Sequence, residues 1–102
     1  MTRLVLALVL VVAGCAGAAW PKTAGNTTCR EWTAEMTDPQ RSALGTAMLL
    51  ALRESDGGTV RPRDEVLAAY STAVGDACAT NPAAKVSTVA ATIYRLATDL
   101  HP

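Results

Sequence analysis

The stretch "LVLALVLVVAGC", residues 4–15, decides how many of the chain's cysteines are left to build structure, and through that it decides the fold. One positive charge, Arg3, precedes ten uninterrupted apolar residues over 4–13, and the small residues Gly14, Ala16, Gly17, Ala18 and Ala19 follow. A basic start, an apolar centre and a small-residue border make the layout of an export signal. A buried core helix fits less well, because an apolar run without a polar face could be covered only by a larger protein.

Three fates compete for this segment. Val12-Ala13-Gly14-Cys15 looks like a bacterial lipobox, in which the Cys15 thiol takes a diacylglycerol with palmitate-class chains and becomes the new N-terminus. Ala16-Gly17-Ala18 also reads as a small-x-small site for ordinary signal peptidase, which would discard Cys15 and release a secreted protein. Residues 4–20 carry no charge, so an uncleaved membrane anchor is the third reading. The lipoprotein reading ranks first and divides the chain into a signal peptide (1–14), a lipidated Cys15 with a flexible tether (15–27) and a folded domain (28–102). It places the protein outside the cytoplasm, on the outer face of the cell membrane.

Cysteine arithmetic agrees with a lipid. The chain has three cysteines, and acylation of Cys15 leaves Cys29 and Cys78 as one even pair in an oxidising compartment. Two free buried thiols, packed as small hydrophobes, are the alternative. A bridge would close a loop of about 50 residues, worth on the order of 4 kcal/mol in the chain-entropy model. That rivals what the core of so small a domain supplies, about 3–5 kcal/mol. A metal site has little support: the only histidine is His101, beside the C-terminus, and no CxxC spacing occurs. No cofactor is expected.

Residues 16–27, "AGAAWPKTAGNT", are small, contain Pro and Gly, and lack periodicity, which reads as a tether. Trp20 is read as resting in the lipid interface or as a lone exposed tryptophan. Asn26-Thr27-Thr28 matches a glycosylation sequon, a motif short enough to arise by chance.

From residue 28 onward the expectation is all helix, since no run alternates apolar and polar residues. "TCRE" (28–31) opens the first helix as a capping box, with Cys29, Trp32 and Met36 on one face. Asp38, as cap, and Pro39 start the second helix, whose expected buried stripe is Leu44, Ala47, Met48, Ala51 and Leu52. "SDGG" (55–58) ends it, because glycine suits a left-handed cap. The third helix begins near Pro62, with Asp64 and Glu65 in its first turn, and its stripe is Val66, Ala69, Tyr70, Ala73, Val74 and Ala77, broadened by Leu67 and Cys78. "TNP" (80–82) breaks it. Ser87 caps the fourth helix, with Val89, Ile93, Leu96, Ala97 and Leu100 as its stripe. Four short helices rich in alanine form one compact bundle or orthogonal array, with Gly45 and Gly75 as candidate crossing points.

Two cysteines with 48 residues between them, the first in "TCREW" (28–32), a middle helix reading "PQRSALGTAMLLAL" (39–52), and the second in "AVGDACATNP" (73–82), resemble the small HdeA-type family of exported acid-stress proteins. The pattern is more similar still to actinobacterial and phage-encoded members with C-x-x-W … QR … C-x-x-x-P. The likeness covers residues 28–95. It implies an all-α, four-helix bundle with a Cys29–Cys78 bridge. It also implies a holdase chaperone that works without ATP, losing a folded homodimer in acid and covering unfolded clients.

Charge permits that mechanism without singling it out. Once residues 1–14 are removed, eight Lys and Arg face nine Asp and Glu, and acid would leave the cations and His101 repelling one another. The competing class is a lipid-tethered interaction module, which the resemblance would place at the surface of a prophage-bearing cell, occluding a receptor or binding an envelope component, as in superinfection exclusion. Its candidate contact residues are Arg41, Arg53, Arg61 and Arg63, which otherwise form a solvated face. Leu49, Leu50 and Tyr94, outside the stripes, read as a dimer face or a second core contact.

An enzyme is the least supported class. Ser42, Ser55, Ser71 and Ser87 lack a nucleophile setting, and the pairs Asp64-Glu65 and Glu54-Asp56 sit at helix ends where capping explains them. Balanced charge argues against nucleic acid as a partner. The expected partners are therefore the membrane, through the N-terminal lipid, and a protein.

Overall fold

Sequential hydrogen-bonding preferences set the element boundaries in the computed structural model, which describes residues 19–102. Cys15 and the apolar run before it lie outside the described residues. Four α-helices are present there: α1 (Cys29–Ala34), α2 (Asp38–Ser55), α3 (Asp64–Ala79) and α4 (Val86–Leu96). Short 3-10 turns occupy Ala24–Asn26 and Thr98–Leu100, and extended pairing among the described residues is limited to one isolated antiparallel bridge, Thr28 with Lys85.

The caps explain the starts and stops. At α1 the Thr28 hydroxyl accepts from the Glu31 amide at 3.2 Å, and the Glu31 carboxylate accepts from the Thr28 amide at 2.9 Å, so two orphan donors are satisfied reciprocally. A second capping box opens α2, but its cap is Thr37, paired with Gln40, and not Asp38. Asp38 is the first helical residue, where its charge suits the helix dipole. The "SDGG" stop holds: Gly57 has φ +84°, its amide donates to Glu54 O, and the Gly58 amide donates to Arg53 O at 2.8 Å, the Schellman pattern. The expected Ser87 cap does not form. Helix α4 begins two residues earlier, with Lys85 at its cap, because the Val86 amide is already satisfied by Thr27 O at 2.9 Å.

Helix α3 is the centre, packing against α1, α2 and α4, while α2 and α4 also touch each other. The core is Cys29, Trp32 and Met36 from the first helical segment, Met48 and Leu49 from α2, Leu67, Tyr70, Val74 and Cys78 from α3, and Val86, Ala90 and Tyr94 from α4. The face expected on α1 is the buried one. On α2 the helix is turned: Gly45, Met48 and Leu49 are inside, Leu44 and Leu52 are partly buried, and Ala47 and Ala51 are exposed. On α3 the buried line is Leu67, Tyr70, Val74 and Cys78, with Ala69 outside. On α4, Val86, Ala90 and Tyr94 are inside and Leu96 is 81% exposed.

Close crossings set these rotations. A Cβ built on Gly45 would collide with the Ser71 hydroxyl and lie 3.1 Å from the Ser71 Cβ, so α2 meets α3 nearly backbone to side chain. A Cβ on Gly75 would come within 3.2 Å of Trp32 Nε1. Both glycines therefore sit where α3 is approached most closely.

Residues 20–27 are not a free tether. Thr27 is 0% exposed; its hydroxyl donates to Thr23 O at 2.7 Å and accepts from Trp20 Nε1 at 2.8 Å. The Ala24–Asn26 turn packs on α4, and the α1 amides of Cys29 and Arg30 donate to Ala84 O and Pro82 O in the loop after α3. The folded unit thus takes in residues from Trp20 onward, because the Thr27 hydroxyl ties Trp20 and Thr23 together and Thr27 O accepts the Val86 amide at 2.9 Å.

Candidate functional site

Cys29 and Cys78 form a disulfide with Cα atoms 4.7 Å apart, and both are inaccessible to solvent. The bridge joins the first turn of α1 to the last turn of α3 across 49 positions. It is a staple and not an exchangeable surface pair.

The four candidate contact arginines divide. Arg41 donates to Trp32 O and to Asp38 Oδ1, both at 2.7 Å, and so closes the C-terminal carbonyls of α1. Arg53 donates to Leu100 O at 2.6 Å and to Val60 O at 3.3 Å, pinning the C-terminal turn and the 57–63 loop to α2. Both are structural clamps. Arg61 and Arg63 stay exposed, within 4.0 Å of Asp64 and 3.7 Å of Glu65, beside Val60, which is 74% exposed. The outer side chains of the 57–63 loop are therefore an exposed valine and two arginines, each beside a carboxylate in the first turn of α3.

Leu49 and Tyr94 are core residues, not an outer face. The Tyr94 hydroxyl donates to Asp56 Oδ2 at 2.5 Å, fastening α4 to the end of α2, and Tyr70 donates to Ala90 O at 2.7 Å. Burial, and for Tyr94 the Asp56 carboxylate, push both phenols above the ordinary tyrosine value. His101 is engaged as well: Nε2 lies 2.8 Å from Tyr94 O and its ring centroid 4.5 Å from that of Tyr94. Leu50 is only partly buried and lines a cleft with Val60 and Arg61.

Open clefts flank the bundle. One of about 370 Å³ brings together Ser42, Ser71 and Thr72 with Asp38, Arg41 and Asp76. The Ser71 hydroxyl is buried against Gly45 without a hydrogen-bond partner, so it faces the helix crossing. Another, of about 490 Å³, gathers Tyr94, His101, Asp56 and Arg95, whose phenol and imidazole already hold hydrogen bonds to the fold. Among the described residues no cluster of three or more His, Cys, Asp or Glu is placed to hold a metal, and no helix is long and apolar enough to cross a membrane. At Glu31 the Lys22 ammonium, followed by the Thr28 amide, holds the carboxyl below the ordinary value of 4.5.

Fold and site together define a small, disulfide-stapled, all-helical domain. Comparison with family models, with curated proteins and with solved structures finds no match for this chain.

Proposed function

We propose that the chain is an exported lipoprotein, anchored through Cys15, whose helical domain is a protein-binding module on the outer face of the cell membrane. The observation that carries this reading is the buried Cys29–Cys78 disulfide: it engages two of the three cysteines, and the third closes the apolar run at residues 4–15 behind small residues. The exposed 57–63 edge, with Val60 and the Arg61–Asp64 and Arg63–Glu65 pairs, supports a role in binding, since a partner with a partly apolar surface of mixed charge complements it. Intact mass measurement on the membrane fraction tests the anchor. A diacylglyceryl Cys15 is expected, together with release of the Cys15→Ala protein from the membrane; an unmodified N-terminus at Ala19 overturns the reading.

A second reading, an ATP-independent acid holdase of the HdeA type, draws support from Glu31. Its carboxylate binds Lys22 and the Thr28 amide at the start of α1, so protonation would loosen the first helix while the bridge keeps the chain compact. Incubation with an aggregating client at about pH 3 and at neutral pH separates the two readings. Protection in acid alone favours the holdase, and none at either pH favours the binding module.

A further inference from the structure

Helix α2 carries an apolar surface that the core does not use. From Ser42 to Leu52 it holds no charged residue, so no ionic group marks its outer side. Here Gly45, Met48 and Leu49 face inward, while Ala43, Ala47 and Ala51 are exposed at i, i+4 and i+8, with Leu44 and Leu50 partly exposed beside them. Trp20 lies at the end of this face, where Ala19, Trp20, Ala43, Leu44 and Ala47 border a shallow groove of about 290 Å³ rimmed by Lys22. The Trp20 ring is held by its hydrogen bond to Thr27, so it is a fixed part of the surface.

What covers this face follows from the leash. Cys15 precedes Ala19 by four residues, and even fully extended chain spans at most about 3.6 Å per residue, so a lipid on Cys15 enters the bilayer within about 15 Å of the groove. With residues 20–27 folded, no long tether holds the domain away. A tryptophan with an apolar body and a satisfied N–H suits the headgroup boundary. A second copy of the chain could cover the same alanines, but the anchor brings the bilayer to this face in every copy.

We propose that the face formed by Trp20, Ala43, Leu44 and Ala47 rests on the lipid surface, laying the domain against the membrane in one orientation. The inference rests on the lipoprotein reading of Cys15. The test uses the full chain, processed and purified from an exporting bacterium, checked by mass for the Cys15 lipid, and reconstituted into phosphatidylcholine–phosphatidylglycerol vesicles with brominated acyl chains. Trp32 is 2% exposed in the core, so quenching reports Trp20. Relative to unbrominated vesicles, Trp20 emission should be quenched, as expected for a ring at the acyl boundary. The Ala43→Glu/Ala47→Glu variant, altered only at exposed positions, should keep its lipid and lose the quenching. Lipidated protein without quenching overturns the inference and leaves the lipoprotein reading intact. Lipidated protein that sediments as a dimer dissociated by the same two substitutions assigns the face to a second copy and also overturns it. An unlipidated N-terminus overturns both, and the mass measurement shows which has failed.

Discussion

At Gly45 one hydrogen in place of a methyl group decides how closely α2 and α3 approach. Gly45→Ala gains up to about 1 kcal/mol of helix propensity, but the new methyl meets the Ser71 hydroxyl, and overpacking of this kind costs about 1–3 kcal/mol. A net loss of about 1 kcal/mol is expected, read as a lower melting temperature. Ser71→Ala should do the reverse, raising stability by up to about 1 kcal/mol, because the hydroxyl it removes is buried without a partner. The two changes share one contact, so the Gly45→Ala loss should shrink when Ser71→Ala is already present. Full additivity would show that the crossing is looser than this geometry.

Within the elements, the rotation of the helices and the strength of their caps are what can be measured. Leu49 is fully buried and Leu96 is 81% exposed, although the heptad-like pattern favours the opposite assignment. Leu49→Ala should therefore cost about 2–5 kcal/mol, and Leu96→Ala no more than about 0.5 kcal/mol. Denaturant midpoints for the two variants check the order directly. Thr28→Ala should cost about 1 kcal/mol by removing the hydroxyl that caps α1. The partner of that cap makes its own contribution to stability depend on pH. Glu31, held by Lys22 and then by Thr28, binds a proton less readily in the folded state than in the unfolded one. Its stabilising effect is therefore complete above the ordinary value of 4.5 and is lost as pH falls through the lower folded value. Glu31→Gln should flatten that part of the stability profile; an unchanged acid limb would remove Glu31 from the account.

For the molecule as a whole the bridge is the largest single constraint. Reducing Cys29–Cys78 frees a loop of about 50 residues and should lower stability by on the order of 4 kcal/mol, so that melting with and without reductant differs widely. Equal melting temperatures would show that the bridge contributes little. At the alkaline end Tyr70 and Tyr94 hold their protons more tightly folded than unfolded, so stability should fall as pH rises past the ordinary tyrosine value of 10. Absorbance titration of the phenols against the melting curve checks the coincidence.

What the chain's own order of residues determined was local: the Thr28–Glu31 capping box, the stop at Gly57 and Gly58, four helices and the cysteine pairing. These follow from hydrogen bonds within one turn, from backbone preference, or from counting thiols, and none needs a distant neighbour. Only the tertiary structure decided which side of α2 and of α4 is inside, that Trp20 and Thr27 belong to the domain, and that Arg41 and Arg53 serve as clamps on backbone carbonyls. The uncharged run from Ser42 to Leu52 shows why: with only Ser42 and Thr46 polar, the pattern marks the wet side of α2 weakly, and its orientation is chosen by where Ser71 lets Gly45 approach. Burial and long-range hydrogen bonding are relations between segments, and they acquire values only once those segments are packed together.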